Sequence, residues 1–103
     1  MILENQVAVV TGAGRGIGRA IALKLAEVGA DIVCVSRTEA NSQKVTDEVA
    51  VLGRKSWAVA VDVGDTMAVE SAVAKILEDT GGVNILVNNA GVTRDGLLMR
   101  MSE

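Results

Sequence analysis

One stretch constrains this chain more than any other: Thr11-Gly12-Ala13-Gly14-Arg15-Gly16-Ile17-Gly18. It lies between an apolar run over residues 7–10 and a helix-like run over residues 19–28. A strand therefore enters a glycine turn, and the turn opens a helix. The first backbone N–H groups of a helix have no partner within it, and the helix dipole adds about half a positive charge at that end. An anion, most often a phosphate, is the natural occupant of such a place.

The rest of the chain supplies the scaffold for that turn. Residues 6–11 form a first strand whose unbroken apolar character calls for burial on both faces. A first helix follows over residues 15–28, with Ile17, Ala20, Ile21, Leu25 and Val28 recurring at helical steps as an expected inner stripe. Gly29 ends it. A second strand spans residues 31–36. A second helix starts at Glu39 or Asn41 and runs to about Leu52, with Val45, Val49 and Leu52 facing inward. Residues 56–61 form a third strand. Asp65 or Thr66 caps a third helix carrying Val69, Ala72, Val73, Ile76 and Leu77, which Gly81-Gly82 closes. A fourth strand covers residues 84–87, and residues 97–101 begin a fourth helix.

The order is βαβαβαβ with short connections and no proline. That alternation specifies an α/β domain with a doubly wound parallel sheet and right-handed crossovers. Two strand orders are compatible with the pattern, 3-2-1-4 and the flavodoxin-like 2-1-3-4. At 103 residues the chain makes a single domain, residues 1–103. Half of it is hydrophobic, yet the aromatic complement is Trp57 alone. Ala, Val and Ile must fill the core, as suits a sheet covered by helices.

Composition also excludes several functions. The net charge is -3 with both signs interspersed, so no basic face for nucleic acid or for a membrane surface stands out. No apolar run approaches the roughly 20 residues that span a bilayer, and residues 1–10 do not read as a signal peptide. The expectation is a cytoplasmic protein. The single cysteine, Cys34, lies in an apolar run; with no partner cysteine and no histidine it reads as a buried, inert thiol, and a Cys/His zinc site is excluded.

The glycine spacing is informative in detail. A generic dinucleotide turn reads G-x-G-x-x-G, and here the third position falls on Ile17 or Arg19. Gly12, Gly16 and Gly18 instead read G-x-x-x-G-x-G. Gly12 suits a sharp exit from the strand, Gly16 a close approach of phosphate to backbone, and Gly18 close packing of helix on sheet. A Walker-type loop is excluded because no Gly-Lys-Ser/Thr follows. The acidic residue that binds a ribose 2′-hydroxyl belongs about 20 residues further on, at the end of the second strand. Ser36-Arg37-Thr38 stand there, without a carboxylate. Arg37, with Arg15 from the glycine turn, suits an added 2′-phosphate, so NADP(H) is favoured over NAD(H).

Three motifs together, the glycine turn, Asp62-Val63 and Asn88-Asn89-Ala90-Gly91, resemble the short-chain dehydrogenase/reductase family. The stretch from Val92 to Met101 is similar to that of its bacterial 3-oxoacyl-[acyl-carrier-protein] reductases, and the likeness extends over the whole chain. The resemblance implies the 3-2-1-4 order, a Rossmann-like half. It implies that Gly12, Ala13, Gly14, Arg15 and Ile17 contact the pyrophosphate and the adenosine phosphates, and that Arg37 meets the 2′-phosphate. Asp62 and Val63 would hold the adenine, and Asn89, Ala90 and Gly91 would line the nicotinamide-side ribose. Asn88 would have a structural role, tying the fourth strand to its neighbours.

The family reduces a ketone to an alcohol by hydride transfer from the nicotinamide. A tyrosine, tuned by a lysine four residues on, gives the proton, with a serine and an asparagine assisting. This sequence has no tyrosine, and none of those residues aligns within it; Lys75, beside Glu78 and Asp79, reads as a solvated lysine. The resemblance therefore implies the cofactor-binding N-terminal half, truncated before the catalytic residues and inactive alone, with acyl-carrier-protein substrate taken only by the intact enzyme. The alternative is a stand-alone dinucleotide-binding or structural half-domain. Either way the outer edge of the fourth strand, Ile85, Leu86 and Val87, is expected to be open and to drive self-association as a homodimer or larger assembly.

Overall fold

The computed structural model describes residues 2–13, 16–62 and 64–88. Seven elements alternate along it: β1 (Val7–Thr11), α1 (Gly16–Glu27), β2 (Asp31–Ser36), α2 (Glu39–Val51), β3 (Ser56–Ala60), α3 (Thr66–Thr80) and β4 (Ile85–Val87). The expected fourth helix over residues 97–101 lies outside the described residues.

The strands form one parallel sheet in the order β3-β2-β1-β4. Of the two orders open to the sequence pattern, this is the one that the family resemblance implied. β1 is the inner strand on which the order turns. Val9 stands opposite Val33 of β2 on one side and Leu86 of β4 on the other. All five residues of β1 are buried, as the apolar run requires. Asn84 extends the β1–β4 ladder: its amide donates to the Val7 carbonyl at 2.9 Å, and its side-chain oxygen accepts from the Val7 amide at 2.9 Å.

Alternation along the strands sorts the core into two layers. Ala8, Val10, Ile32 and Cys34 face α1 and α2, where Ala22, Ala26, Val45 and Val49 meet them. Val7, Val9, Val33 and Val35 face α3, where Val69, Ala72, Val73 and Ile76 pack. Trp57 and Val59 of β3 border that second layer half-buried. Among the described residues no helix is long and apolar enough to cross a membrane.

The inner face of α1 is not the expected one. Its buried residues are Gly18, Ala22 and Ala26, whereas Ile17 is 71% exposed, Ala20 is exposed, and Ile21, Leu25 and Val28 are half-buried. Small residues at steps of four let the helix axis approach the strands closely, and the larger side chains are displaced to its flanks. The expected inner faces of the other two helices hold up to their last turns. Leu52 and Leu77 are 43% and 44% exposed, and the buried Ser42 takes a place on α2 that no hydrophobic pattern marks. Caps are as the sequence foretold: Asp65 accepts from the Ala68 amide at 3.1 Å, and Gly81, with φ 79°, ends α3.

An ion pair joins α1 to α2. Arg19 of α1 donates through Nε to Glu48 Oε1 of α2 at 2.9 Å and through its second nitrogen to Oε2. The guanidinium hydrogen bonds hold the Glu48 carboxyl below its ordinary value of 4.5, and the carboxylate raises Arg19 in turn.

Two outcomes test this packing. Ala22→Leu overfills the α1–sheet contact and is expected to cost about 1–3 kcal/mol in denaturant unfolding, while Ile17→Ala stays within about 0.5 kcal/mol; the reverse ranking would restore the Ile17 face as the inner one. Glu48→Gln is expected to lower the unfolding midpoint at neutral pH. Because the native carboxyl titrates below the unfolded one, that deficit shrinks as pH falls below about 4.5 and vanishes once Glu48 is protonated in the folded chain. A deficit that persists unchanged in acid would count against the pair as its source.

Candidate cofactor site at the carboxyl edge of the sheet

In a doubly wound sheet the carboxyl ends of all strands lie along one edge, and a crevice opens where the crossovers change direction. Here that point lies between β1 and β4. β1 leads there into Gly12 and Ala13, and Gly16 begins α1. Gly12 has φ 65° and Gly16 has φ 61°, conformations that an L side chain enters only with strain. Among the described residues a Cβ on Gly16 would meet nothing within 4 Å. Ile17 is exposed next to it.

Ala13 is placed differently. It is fully buried, and its amide donates to the Val35 carbonyl at 3.1 Å. That amide is spent on joining the glycine turn to β2. Thr11, also buried, ties the other side. Its hydroxyl lies 3.3 Å from the Val87 carbonyl and 3.2 Å from Asn88 Oδ1. Asn88 thus joins the end of β4 to β1, in keeping with the structural role that its motif implies.

Further along the edge, β2 ends at Ser36, and Arg37 follows with its side chain exposed. The nearest acidic residue in the chain after Ser36 is Glu39, the first residue of α2. β3 leads to Val61, whose amide donates to the Ser36 carbonyl at 2.9 Å, and then to the exposed Asp62. Asp62 closes its own turn: Oδ1 accepts from the Gly64 amide at 2.9 Å, and its carbonyl accepts from the Asp65 amide at 2.9 Å. One carboxylate oxygen is therefore engaged locally.

Of the residues singled out by sequence, Gly12, Ala13, Ile17, Arg37 and Asp62 thus lie along one edge. Gly14, Arg15, Val63, Asn89, Ala90 and Gly91 lie outside the described residues. Among the described residues the edge fits a dinucleotide: two left-handed glycines at the strand–helix turn, and a cation rather than a carboxylate following β2. Cys34 lies in the core, where burial pushes its thiol up and keeps it unreactive. Lys75 is on the surface, 3.8 Å from Asp79. Sequence reading missed Ser42, a fully buried serine beneath the Ser36–Thr38 turn.

Comparison with known proteins agrees with this architecture. The family model described as short chain dehydrogenase matches residues 6–103. The 3-oxoacyl-[acyl-carrier-protein] reductase FabG of Vibrio cholerae is 48% identical over 103 residues, and that of Escherichia coli K12 is 46% identical. Each match takes in the whole of this chain and 41% of the relative. The chain therefore spans about two-fifths of the length of these relatives. Among solved structures, a metagenomic short-chain oxidoreductase in complex with NADP superposes with a TM-score of 0.84 at 40% identity, covering 89% of this chain and 42% of that one. An NAD+-bound xylitol dehydrogenase superposes with a TM-score of 0.86 at 34% identity, over 89% of this chain and 35% of its own. With its strand order, its glycine turn and a family match over nearly its whole length, the chain belongs to the short chain dehydrogenase family.

Proposed function

We propose that this chain provides the NADP(H)-binding half of an NADPH-dependent 3-oxoacyl-[acyl-carrier-protein] reductase. The observation that carries the cofactor choice is Arg37, exposed directly after β2 where an NAD(H) site would present a carboxylate. Structural relatives bind either dinucleotide, NADP in one case and NAD+ in another, so the choice rests on this chain's own residues.

On this reading the first amides of α1 and the turn at Gly12, Gly14 and Gly16 receive the pyrophosphate. Ala13 holds that turn in place. Arg15 and Arg37 neutralise the 2′-phosphate, and Ile17 borders the cofactor phosphates. Asp62 and Val63 bound the adenine, and Asn89, Ala90 and Gly91 line the nicotinamide-side ribose. The bound cofactor would supply a hydride to the substrate ketone. The proton for the alkoxide needs a positioned donor, and these 103 residues contain neither tyrosine nor histidine. The chain by itself is therefore a binding half-domain, residues 1–103. It would meet acyl-carrier-protein substrate only with the residues of the catalytic half, and it would work in the cytoplasm.

We further propose that the isolated chain self-associates. Among the described residues β4 pairs with β1 alone, and Ile85, Leu86 and Val87 are half-buried, whereas β1 is fully buried. A second copy can add to such an edge about a two-fold axis.

Calorimetric titration of the chain is expected to show NADPH binding more tightly than NADH. Arg37→Ala is expected to weaken NADPH about tenfold and leave NADH unchanged. Equal affinity for the two cofactors in the unsubstituted chain would overturn the assignment. With NADPH and an acetoacetyl thioester, the same preparation is expected to give no turnover, and measurable reduction would show that a proton donor exists within it. Sedimentation at micromolar concentration is expected to give at least a dimer mass, which Leu86→Lys on the β4 edge lowers; a monomer before substitution would exclude edge pairing.

A further inference from the structure

Ser42 sits one turn into α2, on the line of Val45 and Val49 that packs against the sheet, and none of its surface is exposed. A hydroxyl at such a position is costly unless it is hydrogen-bonded. Its partners all belong to the site edge. Ser42 Oγ lies 3.2 Å from the carbonyl of Val59 in β3, and in short hydrogen-bonding contact with Oγ of Ser36, the last residue of β2. Ser36 Oγ lies 2.6 Å from the carbonyl of Thr38. Arg37 is the residue enclosed by that Ser36–Thr38 bond.

Two hydroxyls carry two protons for these three contacts. Either Ser42 donates to Ser36 and Ser36 to the Thr38 carbonyl, or Ser36 donates to Ser42 and Ser42 to the Val59 carbonyl. Both patterns join the end of β2 to α2 through the Ser36–Ser42 contact; the first also closes the turn around Arg37, and the second also reaches β3. Thr38, the residue preceding α2, makes no side-chain cap of its own, and its carbonyl accepts from the Ser42 amide at 3.3 Å. The Arg37 turn is thus held from beneath by the Ser42–Ser36 contact, beside the backbone bonds that the Ser36 and Thr38 carbonyls accept.

We propose that Ser42 is a positioning residue for cofactor choice: through Ser36 it fixes the turn that presents Arg37. The inference rests on the NADP(H) reading above. Ser42 touches no ligand in this scheme and acts through the place it gives Arg37. Removing its hydroxyl frees the turn, and the cost falls on the cofactor that Arg37 recognises.

The test is titration of the chain with NADPH and with NADH, each variant being paired with a thermal unfolding curve. Ser42→Ala is expected to weaken NADPH about fivefold, the equivalent of one lost hydrogen bond, and to leave NADH unchanged. Ser42→Thr keeps the hydroxyl and is expected to retain the preference. Ser36→Ala, on the half-buried rim, is expected to give the same loss by a second route. In an Arg37→Ala background, Ser42→Ala is expected to add nothing. A purely structural serine would lower the unfolding temperature and weaken both cofactors alike; that result, or an unchanged NADPH preference in both alanine variants, overturns the proposal while leaving the cofactor assignment intact. Equal binding of NADPH and NADH by the unsubstituted chain would instead remove the assignment, and this inference with it.

Discussion

The fold depends on β1 being hydrogen-bonded on both sides. Its partners differ in their demands. β2 follows after one helix, whereas β4 returns from far along the chain, so that Thr11 and Val87 are 76 positions apart. Closing that distance costs chain entropy, and the compensation is concentrated on β1 and its borders. All five β1 residues leave water, Asn84 exchanges two hydrogen bonds with Val7, and the Thr11 hydroxyl reaches the end of β4. The switch point at the carboxyl edge exists only because these two strands meet.

Much of this was legible from the sequence because it depends on patterns that strands and glycines impose. A continuous apolar run such as Val7–Thr11 admits few places other than the middle of a sheet. Glycines at Gly12 and Gly16 mark backbone that other residues enter with strain. The strand order was not legible from periodicity, since both doubly wound orders share one alternation of elements, and the family resemblance had to choose. The face of α1 misled for another physical reason. Hydrophobic patterns weight large side chains, while the closest helix–sheet contact here uses Gly18, Ala22 and Ala26. Ser42 was invisible for a related reason: a serine reads as solvent-facing until its partners are known, and Ser36 and Val59 are close only in the folded chain.

The two faces of the sheet are also held differently. The layer with α1 and α2 combines short apolar side chains with the Arg19–Glu48 pair that joins the helices directly. A half-exposed pair of this kind contributes modestly to stability, yet it fixes the mutual placement of α1 and α2. Those helices carry the glycine turn at one N-terminus and the Arg37–Thr38 connection before the other. Among the described residues the opposite layer has α3 over β1, β2 and β3, with Trp57 at its margin. Among the described residues the side that bears on the proposed cofactor site is therefore the more cross-linked one.

The hydrogen bond from the Ala13 amide to the Val35 carbonyl has a geometric consequence. It joins the loop after one strand to the residue just before Ser36 in the next, and adjacent strands are spaced about 4.8 Å apart. The proposed anchoring points for the middle and the adenosine end of one long ligand are thereby carried on neighbouring strands like marks on a ruler. Ligand length is then measured by backbone spacing, which side-chain substitution scarcely alters. Evolution could vary the chemistry at each mark, an arginine here or a carboxylate there, without disturbing the distance between them.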